Sequence, residues 1–221
     1  MKIDRGVDVS EKVSEKIIKW YEEKGRDFPW RNTENPYHIL LAEMMLQKTS
    51  ATQVLPIYKE MLDRWPTPED LAEISVDKIA EVIYPLGLQN VRSKRFKRLA
   101  ETLVEKHEGE VPDTEEELTE LPGVGYYISS AVRCIAFDEP IPMLDANAGR
   151  LFGRYYFGEK KYSRIDDKIR EKVKYIFPEK NYKKFNLGVI DMGALVCKQT
   201  HPICSDCPIT EDCRYFKKSK D

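Results

Sequence analysis

Four of the five cysteines in this 221-residue chain, Cys197, Cys204, Cys207 and Cys213, follow one another as Cys-x6-Cys-x2-Cys-x5-Cys. Thiols crowded so closely in a chain without an apolar leader favour a metal over disulfides. Pro202 and Pro208 stiffen the loop that carries them. Structural zinc usually takes two close cysteine pairs separated by a longer loop. Here there is one close pair, and the outer cysteines are spread by six and five residues. That spread suits an iron–sulfur cubane, whose four irons hold the sulfurs further apart; on spacing alone zinc remains the rival. Cys134 lies far away on the apolar side of a helical segment and reads as a buried small hydrophobe.

Two carboxylates have sequence surroundings that could tune them for acid–base work. Glu43 sits in Tyr37-His38-Ile39-Leu40-Leu41-Ala42-Glu43-Met44-Met45-Leu46, apolar nearly all round, so most of the segment must be buried. Burial raises a carboxyl pKa and keeps it protonated, as a general acid requires. The plainer reading is a structural Glu paired with an Arg. Asp145 follows Pro142-Met143-Leu144 and precedes Ala146-Asn147-Ala148. By itself it reads as a helix N-cap. An N-cap carboxylate can also be catalytic, since its own helix helps hold it ionised. One protonated and one ionised carboxyl suit cleavage of a glycosidic bond: the acid assists the leaving group, and the anion stabilises an oxocarbenium-like sugar and directs water.

The third feature is the turn Leu121-Pro122-Gly123-Val124-Gly125 between two helical segments. Its glycines let the backbone turn sharply and approach another chain closely. The N–H groups opening the next helix form an anion site suited to a phosphate. Such contacts position a duplex without reading its sequence. A plain helical hairpin is the alternative.

The elements that must position these groups are helical in period throughout. Start and stop signals place helices at Ser10–Glu23, Tyr37–Gln47, Thr52–Arg64, Leu71–Ile74, Val76–Tyr84, Asn90–Lys106, Thr114–Thr119, Tyr126–Phe137, Asp145–Tyr156, Asp166–Phe177 and Tyr182–Cys197. No alternating strand and no solenoid repeat is evident. The chain ends in the cysteine loop and a basic tail, Lys217-Lys218-Ser219-Lys220. No apolar run is long enough to span a bilayer. Met1-Lys2-Ile3-Asp4-Arg5 lacks the apolar stretch of a secretory signal, so a cytoplasmic location is expected. A net charge of −2 excludes a uniformly basic coat but leaves room for a local basic face. Arg133, Arg150 and Arg154, and the run Arg92, Lys94, Arg95, Lys97, Arg98, could supply one; the run reads equally as the solvated face of a helix.

Together the pieces resemble the helix-hairpin-helix DNA glycosylases of the endonuclease III superfamily. The likeness runs in family order from Asp27-Phe28-Pro29-Trp30 through Glu43-Met44-Met45-Leu46-Gln47-Lys48-Thr49, the Leu121–Gly125 turn, Leu144-Asp145-Ala146-Asn147 and Phe185-Asn186-Leu187-Gly188 to the four cysteines. It implies an all-α fold of two lobes. Residues 1–29 with 138–221 would form a lobe bearing a 4Fe-4S iron–sulfur cluster on Cys197, Cys204, Cys207 and Cys213. Residues 30–137 would form a helical barrel with the hairpin at 121–125. It implies a monomer that binds double-stranded DNA containing a mismatched or damaged base, with no membrane partner, and flips the target nucleotide out of the stack. Asp145 matches the family's catalytic aspartate, and Glu43 the second carboxylate of the adenine and thymine mismatch branches. Gly123, Val124 and Gly125 match the DNA-contacting hairpin. Gln47, Lys48, Leu88 and Gln89 are the candidates for filling the gap left by the flipped nucleotide.

Tyr127 stands where endonuclease III carries its Schiff-base lysine. A phenol cannot supply the amine that attacks the sugar and supports elimination. A monofunctional hydrolase without AP lyase activity is therefore expected. Two branches compete for the base. Leu86-Gly87-Leu88-Gln89-Asn90 and Asp145-Ala146-Asn147 resemble enzymes that remove thymine or uracil opposite guanine, and the chain stops soon after the cluster, unlike typical adenine enzymes. Leu46-Gln47-Lys48-Thr49 is closer to adenine enzymes acting opposite guanine or 8-oxoguanine. A non-catalytic DNA-binding iron–sulfur protein is the reading from another class; the presence of both Glu43 and Asp145 argues against it.

Overall fold

The computed structural model describes residues 5–162 and 164–219, and among these it contains helices and turns but no strand. Residues 1–4 and Lys220 of the basic tail lie outside the described residues. The chain divides into two compact units. One joins the residues up to Asp27 with those from Pro140 onward, and the other is Phe28–Glu139.

In the first unit α1 (Arg5–Lys24) packs against α11 (Tyr182–Leu195), and α9 (Ala146–Phe157) packs against α10 (Asp167–Lys174), α11 and α12 (Arg214–Lys218). Ile17, Phe152, Ile169, Phe185 and Met192 form its core. Ser10 does not start α1, which is already helical at Arg5: the stretch holds no proline, and Gly6, which costs a helix about 1 kcal/mol, does not stop it, so the capping residue type alone did not set the boundary. Asp191 is wholly buried and held by Arg26, whose backbone N–H and guanidinium donate to it at 2.6–2.8 Å. A buried carboxylate needs such a partner.

The second unit is built round α2 (Pro36–Leu46). Asn35 caps it and Pro36 opens it, where a missing N–H is no loss. Because α2 is apolar on every side it lies in the middle, against α3 (Ala51–Arg64) and α8 (Tyr126–Ala136). α4 (Pro68–Glu73) and α5 (Val76–Ile83) pack on α6 (Gln89–His107), and α7 (Glu115–Glu120) pairs with α8. Truncating a wholly buried side chain such as Leu41 to Ala would cost roughly 2–5 kcal/mol. Cys134 is fully buried in α8.

Candidate functional site

All four clustered cysteines border one small pocket, with Arg154, Tyr155, Ile209 and Tyr215 among its other walls. Two short turns, Cys204–Asp206 and Thr210–Asp212, fold the loop back on itself. Burial pushes the thiols of Cys204 and Cys213 up and that of Cys207 to about 12. A bound cation would reverse that logic and ionise them. Backbone N–H groups of Ile209 and of Tyr215 and Phe216 point at the sulfurs of Cys207 and Cys213. Arg154, 1% exposed, donates from Nη1 to Cys197 Sγ at 3.3 Å and to Lys198 O at 2.7 Å, and from Nη2 to Gln199 O at 2.9 Å. Its Nε is buried without a hydrogen-bond partner beside the same cavity. Among the described residues no three His, Cys, Asp or Glu side chains are grouped so as to hold a single metal ion. Four thiols, directed N–H donors and a buried cation make a donor set that fits an anionic iron–sulfur cluster.

A short chain of hydrogen bonds leads from this loop to Asp145. Arg150 Nε donates to the Cys197 carbonyl at 2.8 Å, and its Nη2 donates to Gly193 O at 2.6 Å and Asn147 Oδ1 at 2.7 Å. Asn147 Nδ2 in turn donates to Asp145 Oδ2 at 2.6 Å. Asp145 Oδ1 accepts the Ala148 N–H at 2.8 Å, so Asp145 is the N-cap of α9. Gly193 lets α11 approach this point; a Cβ there would lie 2.5 Å from Asn147 Cβ. The expectation that the helix holds Asp145 ionised meets a larger opposing effect. Burial pushes its carboxyl up, and the Ala148 N–H, the Asn147 amide and the Arg150 charge pull it only part of the way back.

In the second unit Glu43 is 6% exposed on α2. Tyr127, half-buried, lies in the first turn of α8. α7 and α8 are joined by the Leu121–Gly125 turn, in which Gly123 has φ +87°. A Cβ on Gly123 would lie 2.2 Å from Arg95 Cδ and 2.9 Å from Met44 Cε, so only glycine fits. Val124 is buried and its N–H donates to Leu121 O at 3.1 Å. Gly125 is the N-cap of α8, and no side chain caps that end.

Gln47 is engaged by this turn: its Nε2 donates to Gly123 O at 2.9 Å, and its Oε1 accepts from Arg95 Nη1 at 3.0 Å. Lys48 and Leu88 are exposed and both adopt left-handed backbone, φ +58° and +52°. Gln89 is half-buried at the start of α6. Arg92 is buried, and Lys97 donates to Ala72 O and pairs with Glu101, which leaves Lys94 and Arg98 as the exposed members of the basic run. Sequence reasoning did not single out Arg92, Arg95, Asn147 or Arg150 as organisers. The only trace was spacing, Asp145-x-Asn147-x-x-Arg150 along one helix start.

The family model for the HhH-GPD superfamily of base excision DNA repair proteins matches residues 41–178. A thymine/uracil-DNA glycosylase of Pyrobaculum aerophilum is 38% identical over 98% of this chain and 96% of its own length. An adenine DNA glycosylase of Buchnera aphidicola is 30% identical over 90% of this chain and 58% of its own. A solved thermostable thymine-DNA glycosylase superposes with a TM-score of 0.87 at 33% identity, covering 96% of this chain and 98% of that one. The chain belongs to the HhH-GPD superfamily of base excision DNA repair proteins.

Proposed function

We propose that this protein is a monofunctional DNA glycosylase of base excision repair that removes thymine or uracil opposite guanine from double-stranded DNA. The observation that carries the glycosylase reading is Asp145, capped onto α9 and held at both carboxylate oxygens. The choice of base rests on the greater similarity to the thymine/uracil relative than to the adenine one.

In the reaction the flipped nucleotide loses its base as the N1–C1′ bond breaks and the electron pair leaves with the pyrimidine. Glu43, buried on α2, donates a proton or hydrogen bond to the departing base. Asp145, ionised, stabilises the cationic sugar and takes the proton of the water whose oxygen bonds to C1′. The products are the free base and an abasic site. Tyr127 offers no amine, so no Schiff base forms and the strand stays intact. The hairpin at Gly123, Val124 and Gly125 holds a backbone phosphate, and Lys48, Leu88 and Gln89 face the gap in the stack. Cys197, Cys204, Cys207 and Cys213 hold a 4Fe-4S cluster that supplies metal–thiolate bonds tying the loop together. The enzyme acts as a monomer.

Asp145→Asn tests the reading on a duplex with uracil opposite guanine. Binding of the lesion should persist while single-turnover excision falls by at least a hundredfold, on the order of a lost charge-stabilising group. An unchanged excision rate would refute the assignment.

A further inference from the structure

The basic run on α6 reads in sequence as a phosphate-binding stripe, but its most buried member faces inward. Arg92 is 7% exposed. Its Nη1 donates to Met45 O at 2.9 Å, and its Nη2 donates to Gln47 O at 2.5 Å and Thr49 Oγ1 at 2.8 Å. The last two acceptors belong to the residues on either side of Lys48. The backbone N–H of the same arginine donates to Leu88 O at 3.0 Å, as does that of Val91. Those backbone bonds are the first turn of α6 and hold Leu88 at its cap whatever the side chain at 92; the guanidinium is what ties that turn to the flanks of Lys48. Lys48 and Leu88 are two of the five non-glycine residues with left-handed backbone among the described residues. Such a conformation is unfavourable for an L side chain and persists where its surroundings over-determine it.

What this arrangement presents outward is equally specific. Leu88 is 66% exposed, flanked along the chain by Tyr84 at 68% and Val91 at 57%. Large apolar side chains at a loop corner are costly to leave in water and suited to entering an opened base stack. Gln47 does not share that freedom. Its amide bridges Arg95 and Gly123 O, which ties the Lys48 loop to the hairpin turn.

We infer that Arg92 is a positioning residue for base extrusion: it locks Lys48 and Leu88 into one rigid wedge, and Gln47 is the strut that fastens this wedge to the hairpin. Leu88 fills the gap left by the nucleotide, and Lys48 sets its charge against the displaced backbone. The hairpin's hold on phosphate then fixes how deeply the wedge enters. Met45 O, the third acceptor of Arg92, lies two residues after Glu43, so the same side chain also steadies the end of α2 that carries the acid. The inference rests on the glycosylase reading above.

The test uses the full chain and the mismatch duplex that the wild type cuts, which on that reading is G:U, with 2-aminopurine beside the target base. Arg92→Met should abolish most of the 2-aminopurine fluorescence rise on binding and slow single-turnover excision on the order of a hundredfold, the scale of a misplaced reacting group. Binding to undamaged duplex should change by less than about twofold, because nonspecific affinity comes from phosphate contacts. Arg92→Lys keeps the charge but loses the fork, and should fall between the two. When the target base faces an abasic nucleotide, so that no pair must be broken, the variants should regain most of the lost rate.

Thr49→Val removes one acceptor without burying an unpaired charge. It should show the same pattern at about tenfold, and it carries the test if Arg92→Met fails to fold. Equal loss on paired and unpaired targets, or an undiminished fluorescence rise, would overturn the inference. A wild type that cuts adenine instead of uracil would overturn the substrate reading alone, and the variants are then compared on that duplex.

Discussion

Replacing Arg150 by Met removes one side chain and perturbs two places at once. The guanidinium makes three hydrogen bonds, to Cys197 O, Gly193 O and Asn147 Oδ1. Gly193 lies in the last turn of α11, where carbonyls lack an intrahelical partner, so its oxygen loses a cap. Cys197 O keeps a second donor in Arg154 at 3.3 Å. Hydrogen bonds to a charged group contribute about 1.5–3 kcal/mol each and are not additive, which puts the whole change near 3 kcal/mol. For a chain of this length that lowers Tm by about 6–12 °C.

The catalytic effect is separable from that loss. Without Arg150, Asn147 is unanchored and Asp145 Oδ2 loses its fixed donor. A shift of about 1 Å in a reacting group costs on the order of a hundredfold in rate. The pH dependence has a definite sign. Arg150 and Asn147 both lower the Asp145 pKa against the upward push of burial, so their loss raises it further. The carboxylate then stays protonated to higher pH, and the acidic limb of excision moves toward neutrality. Single-turnover excision across the acidic and neutral range, below the variant's Tm, measures both. Arg150→Lys should fall between wild type and Met, since it keeps charge but not the fork. A rate within twofold of wild type with an unmoved acidic limb would refute the reasoning.

Gly123→Ala should weaken binding to undamaged duplex at least tenfold, because the new Cβ would stand 2.2 Å from Arg95 Cδ in a left-handed residue; fluorescence anisotropy reads it, and unchanged binding would remove the hairpin from the DNA interface. Tyr127→Lys places an amine in the first turn of α8 and should create a borohydride-trappable enzyme–DNA adduct absent from the wild type; an adduct of equal yield in the wild type would contradict the monofunctional assignment. Cys207→Ser should abolish the visible absorption and iron content of the purified protein and expose the 197–213 loop to protease; four irons retained per chain would exclude Cys207 as a ligand.

The helices were legible because their signals are local. α2 declares itself by an apolar run opened by Asn35 and Pro36, and α9 by Asp145 at its cap. The burial of Glu43 followed from the same run. What could not be read depends on partners far along the chain. Arg92 acts on residues 45–49 and Arg150 on residues 193 and 197; nothing in their own neighbourhoods distinguishes them from solvated arginines. The upward push of burial on Asp145 was out of sight for a related reason. The helix end is visible in sequence, whereas the packing that desolvates the carboxylate is not. Gln47 was grouped with the gap-filling candidates because its bridge to Gly123, 76 residues along the chain, leaves no local trace.

The central claim is tested most directly by single-turnover excision on four duplexes, G:T, G:U, G:A and 8-oxoguanine:A, each analysed with and without alkali. Thymine and uracil should be released opposite guanine, adenine should be left in place, and strand breaks should appear only after alkali. Preferential release of adenine, or breaks without alkali, would contradict the claim.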